Sequence, residues 1–220
     1  MDKMTTQEDK SNELSVLFTM LGFLSGLPLS LFTSTLVMWL NNTSIDTTIV
    51  INTSLLTLPY VIKPFTAALI DNLRSKKIIK HYMVLLIAAL GTAIALFFAS
   101  RFNPLVQTKY FMLVMLCGCF CSSVMDIVVD AARIVMVPEP NRGIVTAYFL
   151  TAYRVAMLIT GAAVVYIHGE MHIAYSLLYA LSAATILVLG IIATSVMGFY
   201  NSIDEEEEHT IQPKLSAKKL

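Results

Sequence analysis

Five ionisable residues lie inside apolar stretches of the sequence, and three of them belong to one short segment. Asp126, Asp130 and Arg133 form part of DIVVDAAR, which follows an uncharged run at 110–124. Spacings of four and three residues put all three side chains on one face of a helix. Lys63 and Arg154 lie in two other apolar segments. Each charge would cost about 2.5–3.5 kcal/mol at a membrane centre, so we expect the five to cluster, facing one another or water.

Three kinds of chemistry fit such a group of charges. Buried ions persist when they are paired, so the side chains could form a salt-bridge network or a gate on the inner side. Asp126 or Asp130 could load and release a proton, as carboxylates do in the membrane part of pumps and transporters. Lys63 or Arg154 could contact an anionic substrate, because a guanidinium group binds a carboxylate through two hydrogen bonds. The sequence leaves these alternatives open.

The elements that carry these charges are predicted to be membrane-spanning helices. The chain is 56% hydrophobic and 14% charged, against roughly half and a quarter in soluble domains. Apolar runs long enough to cross a bilayer, about twenty residues each, number six, and short linkers join them. No run alternates as a barrel strand does. The fold class is therefore all-α and polytopic, with predicted spans at 14–40, 47–70, 82–100, 110–136, 144–167 and 173–198.

Lysine and arginine predict the orientation of the spans, because short cytoplasmic loops carry an excess of both. With the N-terminus in the cytoplasm, only Arg101 and Lys109 lie in outer loops. The inner loops and the N-terminal tail then hold Lys3, Lys10, Arg74, Lys76, Lys77, Lys80 and Arg142. Both termini are thus predicted to be cytoplasmic. The expected organisation is an N-terminal tail (1–13), a transmembrane domain (14–198) and a disordered tail (199–220).

Small residues and prolines predict how the first two spans are built. Gly22, Gly26, Ser30 and Ser34 recur every fourth residue, a pattern typical of close helix contacts in lipid. Pro28 predicts a bend in the first span, and Pro59 and Pro64 predict a bent or broken second span. Broken helices line cavities in many transporters, although plain structural bends fit equally well.

The sequence contains no motif that indicates another class of function. No nucleophile–base pair, zinc-binding spacing or phosphate-binding loop is evident. We therefore predict neither an enzyme nor a catalytic residue, a metal site or a cofactor. The basic residues are spread over loops rather than forming a nucleic-acid footprint, so no nucleic-acid partner is expected.

Three segments of the sequence resemble the AmpG-type muropeptide permeases of the major facilitator superfamily. They are GFLSGLPLSLFTSTLVMWL at 22–40, LPYVIKPFTAALID at 58–71 and MDIVVDAARI at 125–134. The resemblance implies the import of anhydro-muropeptides, driven by the proton gradient, across a bacterial inner membrane. It also implies a gating role for Asp71 in the loop with Arg74, although the usual glycines of that loop are missing.

Members of this family have two six-helix halves with the substrate path between them, so the resemblance implies the N-terminal half only. We expect a transporter of an anionic glycopeptide that works in the lipid bilayer as a homodimer or with a separately encoded C-terminal half. The candidates for proton coupling or gating are Asp126, Asp130, Arg133 and Asp71, and those for substrate contact are Lys63 and Arg154. The alternative is a truncated, non-transporting remnant or an accessory membrane subunit.

Overall fold

The computed structural model describes the backbone of residues 2–43, 50, 53–75 and 81–216, and side chains within 12–43, 50, 53–69 and 82–200. All regular elements in these ranges are helical, as the composition predicts. Five helices are long and apolar enough to cross a membrane. We call them the first, third, fourth, fifth and sixth spans: Asn12–Asn42, Tyr82–Arg101, Thr108–Met136, Glu139–Met171 and Tyr175–Tyr200. Five of the six predicted spans are thereby confirmed.

The remaining predicted span, 47–70, is not a continuous helix where the structure describes it. Residues 53–75, called here the second segment, form a 3₁₀ helix (Thr53–Thr57) and two α-helices (Leu58–Val61 and Lys63–Ser75), which are separated at Ile62. Pro59 and Pro64 explain the interruption, since neither can donate a backbone hydrogen bond. The predicted break is therefore observed, and a sixth continuous span is not.

The other helices have the following bounds. The first helix runs from Asp2 to Ser30, continues through a π-helical turn (Leu31–Thr35) and ends with Leu36–Asn42. The third and fourth spans lie in His81–Arg101 and Thr108–Met136. The fifth consists of Glu139–Asn141, Arg142–Leu158, a π turn (Ile159–Ala163) and Val164–Met171. The last helix runs from Tyr175 to Ser216.

The chain ends differ from the predicted tails in their backbone. Helix begins at Asp2, within the predicted tail 1–13, and continues to Ser216, where charge and composition favoured disorder over 199–220. Extending an existing helix is much easier than nucleating one, so a polar sequence can continue the helix of an adjoining span. Residues 217–220 lie outside the described residues.

The first span occupies the centre of the bundle. Its side chains Phe18, Leu21, Leu24 and Leu31 are fully buried, and it packs against the fourth, fifth and sixth spans. The third span packs between the fourth and the sixth. This arrangement places the fourth and fifth spans, which carry four of the five predicted intramembrane charges, around one central helix.

Small residues bring the first and fifth spans into close contact. A Cβ atom added at Gly22 would meet the carbonyl oxygen of Phe149, and one added at Gly26 would meet that of Tyr153. Further along the same line, the Ser30 hydroxyl donates to the Met157 carbonyl oxygen at 3.1 Å. In lipid, helices associate mainly through such backbone-to-backbone packing. The close contact predicted from the four-residue repeat is confirmed.

Two π-helical turns meet where these spans continue outward. A π turn leaves backbone carbonyls unable to bond normally within the helix. The Thr35 hydroxyl donates to the Thr160 carbonyl oxygen, and the Tyr179 hydroxyl donates to the Leu31 carbonyl oxygen, both at 2.6 Å. The two irregular turns are therefore stabilised by side chains from neighbouring spans.

Candidate functional site

A buried ion pair joins the second segment to the fourth span. Lys63 Nζ lies 2.8 Å from Asp126 Oδ2, and the side chains are 29% and 5% exposed, respectively. Lys63 is the first residue of its helix, directly after the interruption at Ile62, so the break determines where its side chain starts. The ammonium group also lies 5.2 Å from the centre of the Tyr60 ring. The structure thus brings together a predicted substrate-contact residue and a predicted proton-coupling residue.

Two hydrogen bonds hold the interrupted segment against the fourth span. The hydroxyl groups of Tyr60 and Ser122 lie 2.7 Å apart, and Ser123 donates to the Pro59 carbonyl oxygen at 2.9 Å. Both serines are buried. Together with the ion pair, these contacts fix the second segment at successive levels along the fourth span. They position Lys63 relative to the carboxylate.

The second oxygen of Asp126 lies near the Ser25 hydroxyl. Among the residues that the structure describes, Asp126 Oδ1 and Ser25 Oγ are both buried without a hydrogen bond of good geometry, although Ser25 is near enough to interact with the carboxylate as a hydrogen-bond donor. The side chain of Tyr153 in the fifth span also interacts electrostatically with Asp126. A buried polar atom without a partner costs about 1–3 kcal/mol. The site can reduce this cost if Oδ1 takes a proton or if the Ser25 hydroxyl turns toward it.

A second ion pair lies within the fourth span. Arg133 Nη2 donates to Asp130 Oδ1 at 2.9 Å, and the Arg133 guanidinium lies over the Phe149 ring of the fifth span, 4.5 Å from its centre. Asp130 is about half exposed and Arg133 is mostly buried. Because a partly exposed pair stabilises a protein by about 1 kcal/mol or less, this contact can open and close readily.

Arg154 stands apart from both pairs. It is exposed and makes no ion pair or hydrogen bond with the part of the chain that the structure describes. Its side chain lines a groove of about 830 Å³ between the first and fifth spans. The five charges predicted to cluster are thus arranged as two pairs and one solitary arginine. The side chain of Asp71 lies outside the described residues, as do those of Arg74, Lys76, Lys77 and Lys80.

Comparison with known proteins gives this arrangement a context. No protein-family model matches the chain. AmpG 4 of Rickettsia conorii, named as a transporter, is 35% identical over 153 residues, which is 67% of this chain and 36% of the relative. AmpG 1 of Rickettsia prowazekii is 27% identical over 193 residues, covering 86% and 43%. The anhydromuropeptide permease of Escherichia coli K12 is 29% identical over 180 residues, covering 82% and 36%.

The chain is similar in sequence to these two AmpG proteins and to the anhydromuropeptide permease. Its similarity to them extends over most of its length, while the chain itself spans less than half of each of these three relatives. Partial coverage of this kind fits one half of a longer permease. With its five long apolar helices and its similarity to proteins named as transporters, the chain is a multi-pass membrane protein. The names of these relatives denote transport.

The site also contains residues that the sequence did not predict. Tyr60, Ser122 and Ser123 contact across the second segment and fourth span, yet their types are common in membrane helices. The sequence did contain an indication for the two serines, since Ser122 and Ser123 lie four and three residues before Asp126 and therefore share its helix face. It contained no comparable indication for Ser25. In the described part of the chain, no group of three or more His, Cys, Asp or Glu residues could hold a metal ion.

Proposed function

We propose that this chain forms part of a proton-coupled transporter that imports anhydro-muropeptides across a bacterial inner membrane. The names and similarity of its relatives support the transporter class and the substrate. The observation that carries the proposal is the buried pair of Lys63 and Asp126 at an interrupted helix. An ionised pair is costly inside a membrane protein and is commonly found where function requires it.

Asp126 is the residue that we propose to carry the proton. One of its oxygens accepts from Lys63, while the other is buried without a hydrogen-bond partner in the described part of the chain. If the second segment moves, Lys63 can extend its partly exposed ammonium group away from the carboxylate. Asp126 would then remain buried without its cation, and taking a proton would remove its charge. Movement of the interrupted segment and protonation of Asp126 would thereby be coupled.

Asp130, Arg133 and Asp71 are proposed to act in gating on the cytoplasmic side. The Asp130–Arg133 pair is partly exposed and spans neighbouring helices through the contact of Arg133 with Phe149. A pair of this strength can break in each transport cycle at little cost. For Asp71 the support is the family resemblance of the segment that it ends.

Arg154 and Lys63 are proposed to contact the anionic substrate. A solitary arginine halfway along a span is costly when it faces hydrocarbon, so its side of the first and fifth spans is expected to face water or protein. We propose that this face lines the transport path. A second copy or a separately encoded C-terminal half would complete the path, consistent with the greater length of the relatives.

The proposed orientation has both termini in the cytoplasm. The Tyr200 hydroxyl donates to Glu13 Oε2 at 2.6 Å, so the start of the first span and the end of the sixth lie on the same side. The excess of Lys and Arg in the predicted inner loops supports the cytoplasmic side for both.

Uptake of radiolabelled anhydro-muropeptide into proteoliposomes tests the proposed function. The purified chain is reconstituted alone and together with a C-terminal half from one of its relatives, with and without an imposed inward proton gradient. We expect gradient-driven uptake in at least one of the two preparations. Asp126→Asn should lower gradient-driven uptake at least tenfold while preserving substrate exchange, which needs no net proton movement. Glu139→Gln, which neutralises a carboxylate at the exposed surface, is the matched control.

Two outcomes contradict the proposal. Uptake that Asp126→Asn leaves equally dependent on the gradient would remove Asp126 from proton coupling. No uptake or exchange in either preparation, with a correctly folded protein, would favour a non-transporting accessory subunit.

A further inference from the structure

The groove that Arg154 lines has one charged end and otherwise mostly apolar walls. Arg154 lies at its inner end and Tyr166 at its outer end, twelve residues further along the fifth span. At 1.5 Å per residue this corresponds to about 18 Å, the length of roughly five extended peptide residues. Between them lie apolar side chains, including Met38 and Leu158, and the hydroxyl group of Ser34. The groove is therefore long, with a positive charge at one end and mostly apolar side chains along the rest of its length.

Hydrogen bonding limits what the polar groups of this groove can offer. The Ser30 hydroxyl donates to Met157 O, and the Ser34 hydroxyl lies 3.3 Å from both the carbonyl oxygen and the hydroxyl oxygen of Ser30. While the Ser34 proton is directed to Ser30, the exposed Ser34 oxygen can accept a hydrogen bond from a ligand. Arg154 offers only donors, and it carries a permanent positive charge. A ligand with an anion at the inner end and a hydrogen-bond donor near Ser34 would complement these groups.

The distance between these two positions suits a peptide. Ser30 contacts Met157, so Ser34 lies one helical turn outward of that level and Arg154 lies about one turn inward. Their separation along the groove is about 10 Å, equal to about three extended residues. A terminal carboxylate at Arg154 would thus place a backbone N–H near Ser34. The apolar walls fit small apolar side chains between the two.

We propose that this groove binds a short, extended peptide with its terminal carboxylate at Arg154, a backbone N–H donated to Ser34 and its far end near Tyr166. This inference rests on the proposed function, because it assumes that the face of the first and fifth spans lines the transport path. It adds the direction in which the ligand lies and the group that is recognised. A lipid chain in the same groove would not require the guanidinium, whose position halfway along the span is far from lipid headgroups.

Equilibrium binding to the full chain in lipid nanodiscs, without a proton gradient, tests the proposal. The probes are radiolabelled N-acetyl-pentaalanine with a free carboxylate and the same peptide with a C-terminal amide. We expect the acid to bind at least tenfold more tightly than the amide, since only the acid forms the charge-assisted pair. Arg154→Gln should abolish this preference, and Arg154→Lys should retain part of it. Arg101→Gln removes a positive charge at the exposed end of the third span and should change nothing.

A variant that keeps the charge separates binding in the groove from general attraction of anions. Ala162 lines the groove and is exposed. Ala162→Phe should fill the space and weaken binding of the acid at least tenfold, while the thermal unfolding midpoint of each variant verifies that it is folded.

The proposal is overturned by equal binding of acid and amide, by the absence of binding of both, or by an acid preference that survives in Arg154→Gln. It is also overturned if Ala162→Phe binds the acid as the parent does. These results concern binding without a gradient. Loss of proton-driven uptake in Asp126→Asn, alongside unchanged binding in Arg154→Gln, would therefore support the proposed function while refuting the groove.

Discussion

Replacing Lys63 with methionine removes the cation from a carboxylate that has little access to solvent. Methionine preserves much of the apolar stem of lysine but cannot donate a hydrogen bond. The Asp126 side chain is only 5% exposed, and its Oδ1 atom has no hydrogen-bond partner among the described residues, so the substitution leaves neither oxygen paired there. We expect Lys63→Met to destabilise the folded chain strongly.

The expected loss follows from the burial of the two partners. Removing one member of a buried ion pair costs about 3–5 kcal/mol. The 29% exposure of Lys63 means that solvent already weakens the pair, so we expect the lower end, about 3 kcal/mol. Asp126→Asn should cost less, about 1 kcal/mol, because asparagine still accepts a hydrogen bond and Lys63 can extend toward solvent. In the double variant no unpaired charge remains, so its stability should lie near that of Asp126→Asn.

Unfolding in mixed micelles of increasing sodium dodecyl sulfate content measures these losses. Trp39 is the single tryptophan, and its contacts with Phe111, Tyr175 and Tyr179 make its fluorescence a reporter of helix packing away from the ion pair. The destabilisation of Lys63→Met should shrink as the pH falls, because a protonated Asp126 carries no charge to leave unpaired. The stability of the parent should change less over the same range.

Lys109→Met is the matched control, since Lys109 is exposed at the start of the fourth span. A change below about 0.5 kcal/mol is expected there. If Lys63→Met and Lys109→Met unfold at the same detergent fraction, the carboxylate does not depend on Lys63. If Asp126→Asn lowers the free energy of unfolding as much as Lys63→Met does, then leaving the buried carboxylate without its cation costs no more than neutralising the carboxylate, and the reasoning from burial is refuted.

Two further predictions concern the contact between the first and fifth spans. Gly26→Ala should lower the free energy of unfolding by about 1–3 kcal/mol, because its Cβ would press on a backbone carbonyl. Gly169→Ala is the control, since it has open space around it and should not lower the free energy of unfolding. Equal effects of the two substitutions in the same detergent titration would contradict the close contact. Thr35→Val should cost about 1–3 kcal/mol, because it leaves the Thr160 carbonyl without its buried hydroxyl donor. Thr185→Val, at an exposed hydroxyl that bonds within its own helix, is the control, and a comparable loss there would show that the buried bond contributes little.

Much of the fold follows from local features of the sequence. Runs of apolar residues located five spans to within a few residues, since bilayer thickness alone demands that length. The interruption near Ile62 was predicted because proline affects its own helix, whatever surrounds it. The seam of Gly22 and Gly26 was visible as a four-residue repeat, and close packing in lipid needs little more than small side chains.

The sequence predicted which charged residues belong to the candidate site, but not how they pair. The sequence placed Asp126, Asp130 and Arg133 on one helix face, and the membrane argument required charges to find partners. It did not indicate that Asp130 would pair within its own helix and Asp126 with Lys63, or that Arg154 would stand alone. The choice of partner depends on which helices are neighbours and how each helix is rotated about its axis. The hydropathy of the sequence indicates neither the neighbours nor the rotation.

The sequence alone was enough to establish an all-helical membrane protein, the positions of five spans, and the polar residues that enter them. These properties depend on the transfer of each segment from water to lipid, which is a sum over local residues. The tertiary structure alone decided that Lys63 reaches Asp126, that Ser122 and Ser123 hold the interrupted segment, and that a groove extends from Arg154 to Tyr166. Those features join residues distant in sequence, and they exist only because particular helices pack side by side.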